Sequence, residues 1–204
     1  MTRSPASDLL TIGHSNLAAV RFVALLKDAG VTAVADVRSV PFSRWCPWFS
    51  GKALAQRLAG EAIAYIALGD ALGGRPSDPR LYRDRVADYE AMAARAEFAA
   101  GLERVVDEMA HHRVCLLCAE REPLDCHRCL LVGRALAARG LALGHIRPDG
   151  TIEAHAATEQ RLLALAGEAD LFRDDAERLA HAYRRRARRR ASRLDGNSSP
   201  SPPH

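Results

Sequence analysis

The 204-residue sequence has no apolar run long enough to cross a bilayer as a helix, which takes about 20 consecutive apolar residues. Met1 to Asp8 is short and polar, without the apolar stretch of a secretory leader. There are only five cysteines, an odd number, so a complete disulfide framework is not expected and free thiols in a reducing cytoplasm are. Aromatic residues are sparse at 5%, yet Phe42, Trp45, Trp48 and Phe49 fall within eight positions. These features exclude a helical membrane protein and a stapled secreted domain.

The hydrophobic content of 48% suits a soluble globular chain able to bury one substantial core. The net charge of +4 is a local property: seven arginines and one aspartate lie from Arg184 onward, leaving 22 basic and 24 acidic residues before it. The globular part is near neutral, and the basicity belongs to the C-terminal run.

One stretch organises the rest, Arg113 to Leu131, reading RVCLLCAEREPLDCHRCLL. Val114 to Ala119 reads as a buried strand, Glu120 to Asp125 as a polar loop, and Cys126-His127-Arg128 as the opening of a helix. A helix start aimed above a strand favours an anion or a thiolate there, which would lower the Cys126 thiol. Around it, strands are expected at Leu9–Gly13, Val31–Val37, Ala62–Leu68, Leu141–Ile146 and Thr151–His155. Helices are expected over 17–29, capped by Ser15 or Asn16 and ended by Gly30, over 51–60, 156–167 and 174–191, and over 80–111 as one long helix or two broken near Glu97. Alternating strands and helices imply an α/β three-layer sandwich: a mainly parallel sheet with helices on both faces and a C-terminal helical extension. The expected division is a core over 1–155, an extension over 156–191 and a disordered tail over 192–204.

In such sheets ligands bind beyond the carboxyl ends of the strands. The polar residues His14, Ser15, Asp36, Arg38, Glu120 to Arg128 and His145 fall at those ends, which predicts a single site.

Several stretches together resemble the family catalogued as domain of unknown function 488. They are Thr11-Ile12-Gly13-His14-Ser15, Asp36-Val37-Arg38-Ser39 with Pro41 and Ser43, Leu68-Gly69 with Leu72-Gly73-Gly74, Leu117-Cys118-Ala119-Glu120, Cys126-His127-Arg128, and His145 with Asp149-Gly150. The resemblance implies a compact α/β domain from a bacterial or archaeal cytoplasm and no established reaction. It also implies that Cys118 and Cys126 are the pattern's cysteines, with Cys46, Cys115 and Cys129 outside it.

Four chemistries compete. Cys115-x-x-Cys118 and Cys126-x-x-Cys129 have zinc-knuckle spacing, but the first pair lies in a strand, where residues three apart face opposite sides. A metal held by Cys118, Cys126, His127 or His14 is less constrained, and no metal is assigned to the site. Cys126 and Cys129 also have dithiol redox spacing. In the favoured reading Cys126 is a nucleophile, Glu120 and His14 move protons, and Arg38 and Arg128 hold an anionic group with Ser15, Asp36, Ser43 and His127 completing the contacts. The expected ligand is a nucleotide, nucleic acid or other phosphate compound, and no cofactor is named. The alternative is a non-catalytic nucleic-acid or nucleotide binding module, for which the aromatic loop around Arg44 could stack bases and the arginine run could meet phosphates.

Overall fold

The computed structural model describes residues 7–167 and 174–193. Its six-stranded sheet is built outward from β1 (Leu9–Gly13), which is apolar but for Thr11 and buried at every position, as a central parallel strand must be. The other strands are β2 (Ala33–Asp36), β3 (Ala64–Ala67), β6 (Val114–Cys118), β7 (Leu143–Ile146) and β8 (Ile152–Ala154). The order is β3-β2-β6-β1-β7-β8, all parallel except the β7–β8 pair. After β1 the chain moves toward β2, while after β6 it moves past β1 to β7. The sheet therefore reverses direction between β1 and β6, and the crevice beyond their carboxyl ends is where ligands of such sheets sit.

One face is covered by α1 (Ala19–Asp28) and α2 (Gly51–Ala59), through Phe22, Leu25, Leu26, Leu54 and Leu58. The other carries α3 (Gly69–Leu72), α4 (Tyr89–Ala93), α5 (Ala96–Met109), α6 (Arg134–Ala137), α7 (His155–Ala166) and α8 (Asp175–Arg190). This is the expected three-layer architecture with its C-terminal helices. The side-chain period of two sends Cys115 into the α1 side and Cys118 into the other, so these two thiols cannot share a knuckle.

The long helical pattern over 80–111 resolves differently. Tyr82–Arg83 (β4) and Val86–Ala87 (β5) form a small antiparallel hairpin, turned by Asp84 and Arg85 at φ 51° and 64°. Both central residues are left-handed, the twist a two-residue hairpin requires. Helix resumes only at α4, where the Asp88 carboxylate accepts from the Glu90 and Ala91 N–H groups. The apolar spacing of Tyr82, Val86 and Tyr89 matches a helix by coincidence. At α1 neither Ser15 nor Asn16 caps; the helix begins after Ala18 with no side-chain cap, and Gly30, at φ 70°, follows its end.

The expected tail from 194 onward and residues 168–173 of the extension lie outside the described residues. Ser192 and Arg193 lie within them and pack: Ala87 N–H donates to the Ser192 carbonyl at 2.9 Å, and Arg193 bridges to Val86. Among the described residues no helix is long and apolar enough to cross a membrane.

Gly13 shows how tightly the carboxyl edge is assembled. A Cβ there would lie 1.7 Å from the Glu120 carbonyl oxygen and 2.8 Å from an Arg128 nitrogen. Gly13→Ala should therefore cost roughly 3 kcal/mol or more in urea unfolding, because the 120–121 loop must lift off β1. A cost below about 1 kcal/mol would mean the loop is not fixed there.

Candidate functional site

The chain after β6 does not enter an α-helix directly. A 3-10 turn (Pro123–Asp125) leads to Cys126 in extended conformation, and the helical segment then opens as a π-helix (Arg128–Gly133) before becoming α6. All six π-helical residues are buried. Short π segments recur at functional sites because the wider turn re-aims side chains.

Four side chains converge here. The Cys118 and Cys126 thiols each donate to the same oxygen, Glu120 Oε2, at 3.0 Å. His127 Nδ1 lies 3.5 Å from Cys118 Sγ and 4.0 Å from Cys126 Sγ. The ligand-type atoms of all four lie within 4.8 Å of one another. The Arg128 backbone N–H points at Cys126 Sγ, 3.4 Å away. His127 Nε2 meets the Val37 carbonyl at 2.8 Å; a carbonyl only accepts, so Nε2 carries the proton and Nδ1 faces the thiols. Gly74 packs so closely on the ring that a Cβ would come within 2.6 Å of it. Both cysteines and His127 are buried, whereas Glu120 is exposed as a residue and turns its carboxylate inward.

Charge is shared unevenly within the cluster. Burial pushes the Cys118 thiol well up, and the neighbouring Cys126 and Glu120 add to it. Burial and Glu120 also push Cys126 up, but the Cys118 hydrogen bond, the Arg128 guanidinium and His127 outweigh them and bring it to about 6. His127 is raised despite burial, by Cys126, Glu120 and the Val37 carbonyl. Glu120 falls to about 2: burial opposes this, and His127 with the two thiol hydrogen bonds overcomes it.

A second polar group abuts the first. Asp36 takes Arg38 in a bidentate pair, Nε to Oδ1 at 2.8 Å and a terminal nitrogen to Oδ2 at 2.5 Å, and accepts from the Tyr65 hydroxyl at 2.8 Å. Arg38 also donates to His14 Nε2 at 3.2 Å, while His14 Nδ1–H donates to the Ser15 carbonyl at 2.9 Å. The His14 ring stacks on Phe49 at 4.2 Å. Burial and Arg38 lower His14 to about 4.

The expected site residues thus separate by role. Cys126, Glu120 and His127 come together. His14, Asp36 and Arg38 lie beside them in a closed group of three. Arg128 is 1% exposed and holds the Glu120 and Arg121 carbonyls and Thr11 Oγ1. Ser15 hydrogen-bonds Ala119 through its backbone, and the Ser43 hydroxyl accepts the Cys46 N–H inside the aromatic loop. Cys118 belongs to the family pattern and to the metal reading but not to the nucleophile reading; as the last residue of β6, two along from Leu116, it lies on the site face. The Val37 carbonyl has no sequence signal, whereas Gly74 lies in the Leu72-Gly73-Gly74 stretch.

A model of the family described as domain of unknown function DUF488 matches residues 18–135. The chain belongs to this family. The DUF488 match contains Asp36, Arg38, Cys118, Glu120, Cys126, His127 and Arg128, so the whole four-residue cluster lies inside it; His14, Ser15 and His145 lie outside. No curated protein and no solved structure matches the chain.

Proposed function

We propose that this DUF488 chain is a metalloprotein in which Cys118, Cys126, His127 and Glu120 bind one divalent cation of the zinc type at the β1–β6 crevice. The observation that carries this is the convergence of two thiols, an imidazole Nδ1 and a carboxylate oxygen from the end of β6 and the start of the segment that follows its loop. A tetrahedral zinc with Zn–S about 2.3 Å and Zn–N about 2.0 Å sets its ligand atoms roughly 3.3–3.8 Å apart. The two sulfur–oxygen separations are 3.0 Å and the two sulfur–nitrogen separations 3.5 and 4.0 Å, and together they bracket that range. The His127–Val37 hydrogen bond is the outer contact that a metal-ligating histidine normally makes, and two thiolates with an imidazole suit zinc. Bound there, the ion would supply a Lewis acid, with exposed Glu120 the ligand most readily exchanged for a substrate oxygen.

This reading departs from the metal-free, anion-accepting expectation for a physical reason. Arg38 is satisfied by Asp36, and Arg128 by two carbonyls and Thr11, so neither guanidinium is left for a phosphate. With Cys126 and Glu120 ionised, the cluster presents sulfur, carboxylate and imidazole lone pairs, which attract a cation. A free Cys126 nucleophile would have to meet substrate while 1% exposed. The Cys126–Cys129 redox pair is disfavoured because Cys129 sits instead with His145 and His155.

The test is native mass spectrometry and elemental analysis of protein purified without chelator, followed by cobalt substitution. About one ion per chain and a thiolate-to-cobalt absorption are expected, both lost in Cys118→Ser and Cys126→Ser. Protein that folds, retains no metal and shows no thiolate-to-cobalt band would sink the proposal.

A further inference from the structure

We infer that the loop between β2 and α2 is a stacking surface for single-stranded nucleic acid, independent of the metal centre. Its side chains are displayed against the usual direction of burial. Phe42 is 70% exposed, Trp45 60% and Trp48 37%, in a chain with only 11 aromatic residues outside histidine. Large rings left in water cost free energy that folding does not recover, and such patches mark interaction sites.

The display is held rigid from beneath. Phe49 is fully buried against His14 and Phe22, with ring centroids 4.2 and 5.0 Å away. The Cys46 N–H donates to Ser43 Oγ at 3.0 Å, and the Trp48 indole N–H donates to the Leu17 carbonyl at 3.1 Å. The exposed rings therefore sit on a fixed turn, which lowers the entropy lost on binding.

Charge selects the partner. From Val37 to Gly60 there is no acidic residue, while Arg38, Arg44, Lys52 and Arg57 are basic. Arg38 is taken by Asp36; Lys52 and Arg57 are exposed and in no ion pair among the described residues. The Arg44 guanidinium lies 5.8 Å from the Trp45 ring centre. Flat rings interleaved with cations and free of acids fit bases that stack and phosphates that pair. The arginines of α8 fit less well. Arg184, Arg185, Arg186 and Arg190 are engaged with Glu90, the Ala166 carbonyl, the Leu124 carbonyl and Asp125.

Trp45 and Trp48 are the only tryptophans of the chain, so intrinsic fluorescence reads this surface alone. The experiment titrates the full chain with an oligothymidylate of about 12 nucleotides, within the ~4–16-nucleotide footprint of single-strand grooves. The expected result is saturable quenching. Trp45→Ala and Phe42→Ala should each weaken binding about tenfold by anisotropy of a labelled oligonucleotide. Three available cations should give a log–log salt slope near about −2. The double substitution Arg188→Ala and Arg189→Ala should leave the quenching intact. Quenching by inorganic polyphosphate as strong as by the oligonucleotide would overturn stacking. Absence of quenching, or a fluorescence change that tracks protein concentration and sedimentation as a dimer, would overturn the proposal in favour of a protein-contact surface.

Discussion

Replacing Arg128 with methionine should destabilise the chain by roughly 3–5 kcal/mol and free the loop that carries Glu120. Arg128 is among the largest fully buried side chains, and its guanidinium is spent on the Glu120 and Arg121 carbonyls and on Thr11 Oγ1. Methionine fills much of the volume but leaves two carbonyls facing an apolar group. Lysine keeps the charge without the fork, so Arg128→Lys should recover less than half of the loss. Urea unfolding gives the stability, and hydrogen exchange of amides 119–122 gives the loop. A cost below about 1 kcal/mol would show that the carbonyls find water instead and that Arg128 is free for another role.

Acid should unfold this protein earlier than its carboxylates require. Three histidines are held neutral in the fold: His14, lowered to about 4 by burial and Arg38; His145, well below its usual value by burial and His155; and His155, lowered by burial. The last two belong to a directed chain. Arg128 Nε donates to Thr11, Thr11 Oγ1 meets His145 Nδ1 at 2.7 Å, His145 Nε2 meets His155 Nδ1 at 3.0 Å, and His155 Nε2 meets the Tyr183 hydroxyl at 3.1 Å. Tyr183 then donates to Glu159 at 2.9 Å. With a cation at one end and a carboxylate at the other, every donor has its acceptor only while both rings are neutral.

The sign follows from proton uptake. Each of these folded pKa values lies below the unfolded value near 6.5, so between them the unfolded chain binds the proton and the folded one does not. The contribution of these three histidines is full above about pH 6.5 and falls as pH drops, by up to about 1.4 kcal/mol per pH unit for each. His14 alone accounts for about 3 kcal/mol by pH 4. His127, raised, works in the opposite direction above pH 6.5, and Glu120, held near 2, loses its contribution only below about 4.5. Urea unfolding at a series of pH values should show the drop, and His14→Gln should make it shallower. Stability that is flat from pH 7 to 4.5 would contradict the neutral assignment.

Much of the scaffold was legible because it follows from local pattern. The buried runs 9–13 and 114–118 become central strands, and Gly30 follows the end of α1. Cys115 and Cys118 part to opposite faces because the strand period is two. Of the polar residues at the strand ends, Cys126 and Glu120 meet at 3.0 Å, whereas His145 turns to Thr11 and His155. Where local pattern was ambiguous it misled: the 82–87 hairpin carries helical spacing, and only its two left-handed residues mark it as a turn.

Periodicity and strand-end polarity are local, so the α/β class, the parallel sheet and the edge that carries the polar residues can be read from the chain alone. Which of those residues are spent and which are open depends on partners that only folding brings into reach. Arg38 is consumed by a residue two positions away, Arg128 by backbone carbonyls of a loop seven to eight positions back and by Thr11 across the sheet, and His127 is aimed by a carbonyl of β2's trailing loop. Spacing cannot report these partners, because hydrogen-bond satisfaction depends on distances between segments far apart in the chain.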